Sequence, residues 1–207
     1  MTYGIHLVDE RHLINEMQNI DRFLRSLVNV KHTMPQVRIS NKINDAEEYE
    51  NGLITLNPSY LKGSERISLS ALIAHGFFHH VQHTKFKFYD PGKLRDMLKP
   101  YDLKQDEVQD LVNNIFESSA MFFTVAYLTR KTRGSKRTVS IVRYLHSKKY
   151  TPPAGKFISG NDMILLLYSK SGNSVRKTLL YAITYRGQAQ MVKDFIDLSM
   201  SHSLPGS

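Results

Sequence analysis

The chain has 207 residues, of which 41% are hydrophobic and 23% charged, carries a net charge of +9 and contains no cysteine. That balance is typical of a folded globular protein, and the missing cysteines exclude a disulfide framework, a zinc ribbon, an iron–sulfur cluster and a cysteine nucleophile. No stretch approaches the ~18 uninterrupted apolar residues needed to cross a bilayer, and an N-terminus carrying Asp9, Glu10, Glu16 and Asp21 does not read as a signal peptide, so a cytoplasmic protein with no membrane partner is expected.

From Asp9 the apolar residues Leu13, Ile14, Met17, Ile20, Phe23, Leu24, Leu27 and Val28 recur at steps of three and four, which predicts an amphipathic helix capped by that aspartate. After Pro35 the run Gln36–Ser40 alternates as a short strand. Asn51-Gly52 then breaks the chain ahead of a second strand, Leu53–Leu56, closed by Asn57-Pro58. Residues 68–85 form a largely buried helix by pattern, because apolar positions 69, 71–74, 77, 78 and 81 cover most of its circumference. Asp90-Pro91-Gly92 is a stop signal, with a short helical piece expected before Pro100.

A long helix is predicted over 104–130, with Val108, Leu111, Val112, Ile115, Phe116, Ala120, Phe123 and Tyr127 on its inner face. The break at Thr132–Ser135 coincides with a change in charge. Residues 1–129 hold 14 Lys+Arg against 16 Asp+Glu, whereas residues 130–207 hold 14 against 3. Beyond the break, shorter helices are expected near 137–147, 160–169, 173–186 and 188–200, which makes residues 131–207 a basic, mainly helical extension of a first domain spanning 1–130. So dense a basic segment suggests an anionic partner, although no zinc-finger spacing, RNP motif or heptad accompanies it.

Four of the nine histidines fall between His75 and His83. On a helix, the four-residue step from His75 to His79 stacks two imidazoles on one face, where both reach one metal ion. The bland reading is that each imidazole is satisfied by a nearby polar group; but in so apolar a helix unpaired imidazoles are costly, and a shared ligand relieves that cost.

The run Leu72-Ile73-Ala74-His75-x-Phe77-Phe78-His79-His80-Val81-Gln82 resembles the zinc-binding helix of the zincin metallopeptidases, whose motif is His-Glu-x-x-His. Phe116–Phe123 resembles the glutamate helix of the gluzincin branch, which contributes a third ligand, and the compact minigluzincins are the nearest family likeness. The resemblance covers residues 8–130. It implies an α+β, zincin-like fold with a small sheet, a backing helix, a zinc-binding helix and a glutamate helix. It also implies Zn2+ held by His75, His79 and Glu117, and hydrolysis of a peptide or protein substrate whose backbone adds to Leu53, Ile54, Thr55 and Leu56 as an edge strand. Two imidazoles and a carboxylate suit Zn2+ better than Mg2+ or Ca2+.

The departure lies at Gly76, where the family carries the glutamate that takes and returns a proton. A general acid–base group typically contributes about 10²–10⁴-fold, so metal binding with very poor peptide hydrolysis is expected. Since glycine inside a helix costs about 1 kcal/mol relative to alanine, no stability reason for it is visible. Either the chain is a disabled peptidase, recoverable by Gly76→Glu, or it is a pseudoenzyme that keeps the fold for binding; the intact ligand set favours the first. His80 lies about 140° around the helix from His75 and is poorly placed to stand in.

A reading of a different class makes the zincin-like part a scaffold for nucleic acid. Lys131, Arg133, Lys136, Arg137 and Arg143, with Lys148 and Lys149, then contact phosphate, and Tyr144 and Tyr150 stack on bases. The basic extension is alternatively a docking or latency module covering the cleft.

Overall fold

A computed structural model of the chain describes residues 10–61, 66–85, 99–101, 104–133 and 171–183, with the single positions 168, 193, 194 and 197. Among these residues the fold is mixed α+β and mostly helical, with four helices and one three-stranded mixed sheet. No helix among them is long and apolar enough to cross a membrane.

Helix α1 (Glu10–Leu27) turns Leu13, Met17, Ile20 and Leu24 into the core, as the three- and four-residue spacing requires. Its expected cap, Asp9, lies outside the described residues. The sheet consists of β1 (Gln36–Ile39), β2 (Glu47–Glu50) and β3 (Leu53–Leu56), in the order β1-β3-β2. β1 runs parallel to β3, and β2 runs antiparallel to it with Glu50 opposite Leu53. That register leaves a two-residue hairpin loop, Asn51-Gly52, in which both residues have positive φ, 48° and 86°. Asn-Gly suits this turn because asparagine tolerates, and glycine freely adopts, the left-handed region.

Helices α2 (Arg66–Lys85) and α3 (Gln105–Thr132) lie within a residue or two of the ranges expected from their periodicity. They pack on each other, and α2 also covers the sheet. Phe78 stacks on Phe123 at 4.8 Å between ring centroids, and Phe23 of α1 meets Phe123 and Tyr127 at 5.8 and 5.5 Å. This aromatic contact welds α1, α2 and α3 into one core. The side chains of Val108, Leu111, Val112 and Ile115 lie outside the described residues, and so do residues 91–98, where the helical piece before Pro100 is expected.

Helix α4 (Val175–Ile183) falls inside the expected 173–186 segment and packs against α3 and α2, with Leu179, Ala182 and Ile183 fully buried. This part of the C-terminal region therefore belongs to the core itself and does not merely cover a cleft. The other C-terminal helices expected from sequence fall almost wholly on residues outside the described set.

The buried carboxylate of Glu16, only 3% exposed, ties the three long helices together. It accepts hydrogen bonds from Tyr127 Oη at 2.6 Å and from Lys131 Nζ at 2.6 Å to each oxygen, while Lys131 also donates to Ser70 Oγ at 2.7 Å. Lys131 was expected to contact phosphate; it is instead committed to an internal carboxylate, because a buried charge is stable only when paired.

Candidate metal centre

Helix α2 presents His75 and His79 one turn apart on a single face, their rings 4.6 Å apart and nearly perpendicular. Across from them α3 supplies Glu117, whose side chain is 53% exposed at the mouth of the site. Glu117 was expected among core-facing residues and stands at their rim, but its partners are the two histidines. His75 Nε2 lies 3.5 Å from Glu117 Oε2, and His79 Nε2 lies 3.4 Å from Glu117 Oε1. These side chains form a group able to hold a metal ion, with donor atoms all within 4.8 Å of one another.

Those separations are informative. Donors each about 2.1 Å from one ion at tetrahedral angles stand about 3.4 Å apart. His75 Nε2 is moreover buried and makes no hydrogen bond. Nitrogen and carboxylate lone pairs that face one another in this way are reconciled by a cation or by shared protons.

The far side of each ring is also held. His75 Nδ1–H donates to Glu47 Oε2 at 3.1 Å, and His79 Nδ1–H donates to Gln82 Oε1 at 3.0 Å. Gln82 is fully buried, and its Nε2 donates to the Phe116 carbonyl at 3.5 Å, which orients the amide and links the site to the turn of α3 that carries Glu117. With both Nδ1 atoms protonated, both Nε2 lone pairs point into the site. This is the tautomer a metal requires, fixed by outer partners.

Burial opposes the protonated form of His75, but the charge and hydrogen bond of Glu47, together with the charge of Glu117, outweigh it and raise the pKa. Burial also pushes Glu117 up, yet the hydrogen bond and charge of His79 and the charge of His75 prevail, so the carboxyl titrates below its usual range. His80 is shifted the other way, its pKa lowered chiefly by burial. Its Nε2–H donates to the Thr33 carbonyl at 2.9 Å, and its Nδ1 accepts from Tyr49 Oη at 3.1 Å. The same hydroxyl accepts from the Gly52 N–H at 3.1 Å, which locks the β2–β3 hairpin onto α2.

Two expectations give way to this geometry. β3 is the middle strand, hydrogen-bonded to β1 on one side and β2 on the other, so Leu53, Ile54, Thr55 and Leu56 offer no free backbone edge to a substrate. Among the described residues the sheet edge beside His75 is β2, which sequence reading missed because Glu47-Glu48-Tyr49-Glu50 is too acidic to look like a strand. Its signal was the Asn51-Gly52 hairpin, which demands a strand on both sides. Lastly, glycine at 76 does have a packing reason. A Cβ there would lie 2.8 Å from Glu47 Oε1 and 2.9 Å from Ile54 Cγ2, closer than real contacts allow.

Of the residues proposed for phosphate contact, Arg133 is exposed at the C-terminus of α3. Lys136, Arg137, Arg143, Lys148, Lys149, Tyr144 and Tyr150 lie outside the described residues. Comparison with protein-family models, with curated proteins and with solved structures finds no match to this chain.

Proposed function

We propose that the chain is a zincin-like metalloprotein of the gluzincin kind, holding Zn2+ through His75, His79 and Glu117 and lacking the proton acceptor that peptide hydrolysis needs. The observation that carries this reading is the convergence of two buried-face Nε2 atoms on one carboxylate at 3.4 and 3.5 Å. When bound, the ion supplies Lewis acidity, polarising a carbonyl and acidifying water.

What the chain's own residues do is orient and exclude. Gln82 and Glu47 hold the imidazoles, Phe77 and Phe78 anchor the helix in the core, and β2 offers its edge to extended peptide. Gly76 has no side chain, and Glu47 meets His75 on the Nδ1 side of the ring, away from Nε2. Because Glu47 and Ile54 already occupy the space beside Gly76, the packing supports a binding pseudoenzyme over a peptidase disabled by one substitution.

Metal analysis by mass spectrometry on untagged protein tests the reading. About one zinc per chain, lost in Glu117→Ala, is expected; no zinc in either form refutes it. The anionic-partner reading rests on the charge split alone, and elution from heparin at low salt would remove it.

A further inference from the structure

The Glu47 carboxylate and the missing side chain at Gly76 fit one another. Glu47 is only 7% exposed in its side chain, a burial that a carboxylate tolerates only with a partner, and that partner is His75 Nδ1–H at 3.1 Å. Its second oxygen, Oε1, sits 2.8 Å from where a Cβ of residue 76 would stand. The carboxylate therefore rests directly on the helix backbone at the one position of α2 that leaves room for it. Ile54 Cγ2 and Cγ1, at 2.9 and 3.1 Å from the same point, show that the strand pair and the helix approach equally closely there. With a side chain at 76, both the Glu47 carboxylate and Ile54 would have to shift from this arrangement.

We infer that Glu47 is a positioning residue of the metal centre, admitted to His75 by the glycine at position 76, so that the two act as one unit. The inference rests on the metal-centre reading above. Glu47 fixes the His75 tautomer and ring orientation and increases the basicity of Nε2, the role that carboxylates play behind metal-bound histidines generally. A carboxylate carried by residue 76 and the carboxylate of Glu47 exclude one another, so Gly76→Glu displaces Glu47 and loosens His75 instead of simply restoring a base.

The test is the zinc affinity of the full-length chain, measured by competition with a chromophoric chelator at fixed pH, for the parent, Glu47→Ala, Glu47→Gln, Gly76→Ala and the double variant Glu47→Ala/Gly76→Ala. Glu47→Ala should weaken zinc binding by about 10–100-fold, and Glu47→Gln by less, because its amide oxygen still accepts from Nδ1–H. Gly76→Ala should weaken binding to a similar extent by expelling Glu47, and the double variant should be no weaker than Glu47→Ala alone. A purely structural role would lower thermal stability and leave affinity unchanged.

Affinity of Glu47→Ala within about twofold of the parent, far below the loss expected for an outer partner, would overturn the inference while leaving the metal centre standing. So would losses that multiply in the double variant. If Glu47→Ala fails to fold by circular dichroism, Gly76→Ala decides: folded protein with parental affinity overturns the inference, and weakened affinity supports it. A parent that binds no zinc overturns the metal-centre reading itself, and this inference with it.

Discussion

Replacing Gly76 with alanine should destabilise the metal-free protein, although helix propensity alone points the other way. Alanine in a helix interior is favoured over glycine by about 1 kcal/mol. Here the new methyl would stand 2.8 Å from Glu47 Oε1 and 2.9 Å from Ile54 Cγ2. Ile54 is fully buried on the central strand and β-branched, so it yields little, and overpacking of this kind costs about 1–3 kcal/mol. Moving the Glu47 carboxylate disturbs its charge-assisted hydrogen bond to His75, a bond that contributes about 1.5–3 kcal/mol. Setting the propensity gain against these two terms leaves a net loss of about 1.5–5 kcal/mol. Urea unfolding followed by circular dichroism, with chelator present to remove the metal contribution, measures it directly. The penalty should shrink in an Ile54→Ala background, which removes both clashing carbons. Equal or greater stability of Gly76→Ala would refute the reasoning, and with it the claim that glycine is required there.

The Glu16 cluster gives two further tests. Lys131→Met strands a carboxylate that is 3% exposed and should cost about 2–4 kcal/mol, moderated because Lys131 is itself partly exposed; a cost under about 0.5 kcal/mol, the size of an exposed pair, would show the pair to be superficial. Burial pushes Glu16 up, but hydrogen bonds from Lys131, Tyr127 and Ser70 and the Lys131 charge hold its folded pKa below the ordinary value. The stabilisation is therefore present above the unfolded pKa of about 4.3 and is lost as pH falls through the lower folded value. Denaturation midpoints should decline over that acid range in the parent and decline less steeply in Glu16→Gln; parallel curves would contradict the assignment. Tyr49→Phe leaves the Gly52 N–H and His80 Nδ1 without the hydroxyl and should cost about 1–3 kcal/mol in the same unfolding assay. No measurable loss would mean that water replaces the hydroxyl.

How much of this was legible beforehand depends on the range over which each feature is encoded. The helical ranges and the His75–His79 pair follow from steps of three and four residues, and Glu117 was found because its helix has the same local periodicity and resembles a known motif. Glu47 escaped notice because nothing adjacent to it marks it as functional; its importance comes from contact with a helix encoded nearly thirty residues later. Gln82 was visible inside the motif, but its role depends on the Phe116 carbonyl of another helix. Lys131 looked like one of many basic residues, and only the packing of α1 against α3 brings its ammonium within reach of Glu16.

By itself, then, the amino-acid sequence determined the elements governed by local spacing: three amphipathic or buried helices, two short strands and a pair of imidazoles on one helical face. The tertiary structure alone decided which strand lies in the middle, which carboxylate backs His75 and why residue 76 has no side chain. Helical periodicity repeats every 3.6 residues and is written in neighbouring positions. Strand order and steric fit are set between segments far apart in the chain, where a few tenths of an ångström at Glu47 and Ile54 separate an admissible side chain from a clash.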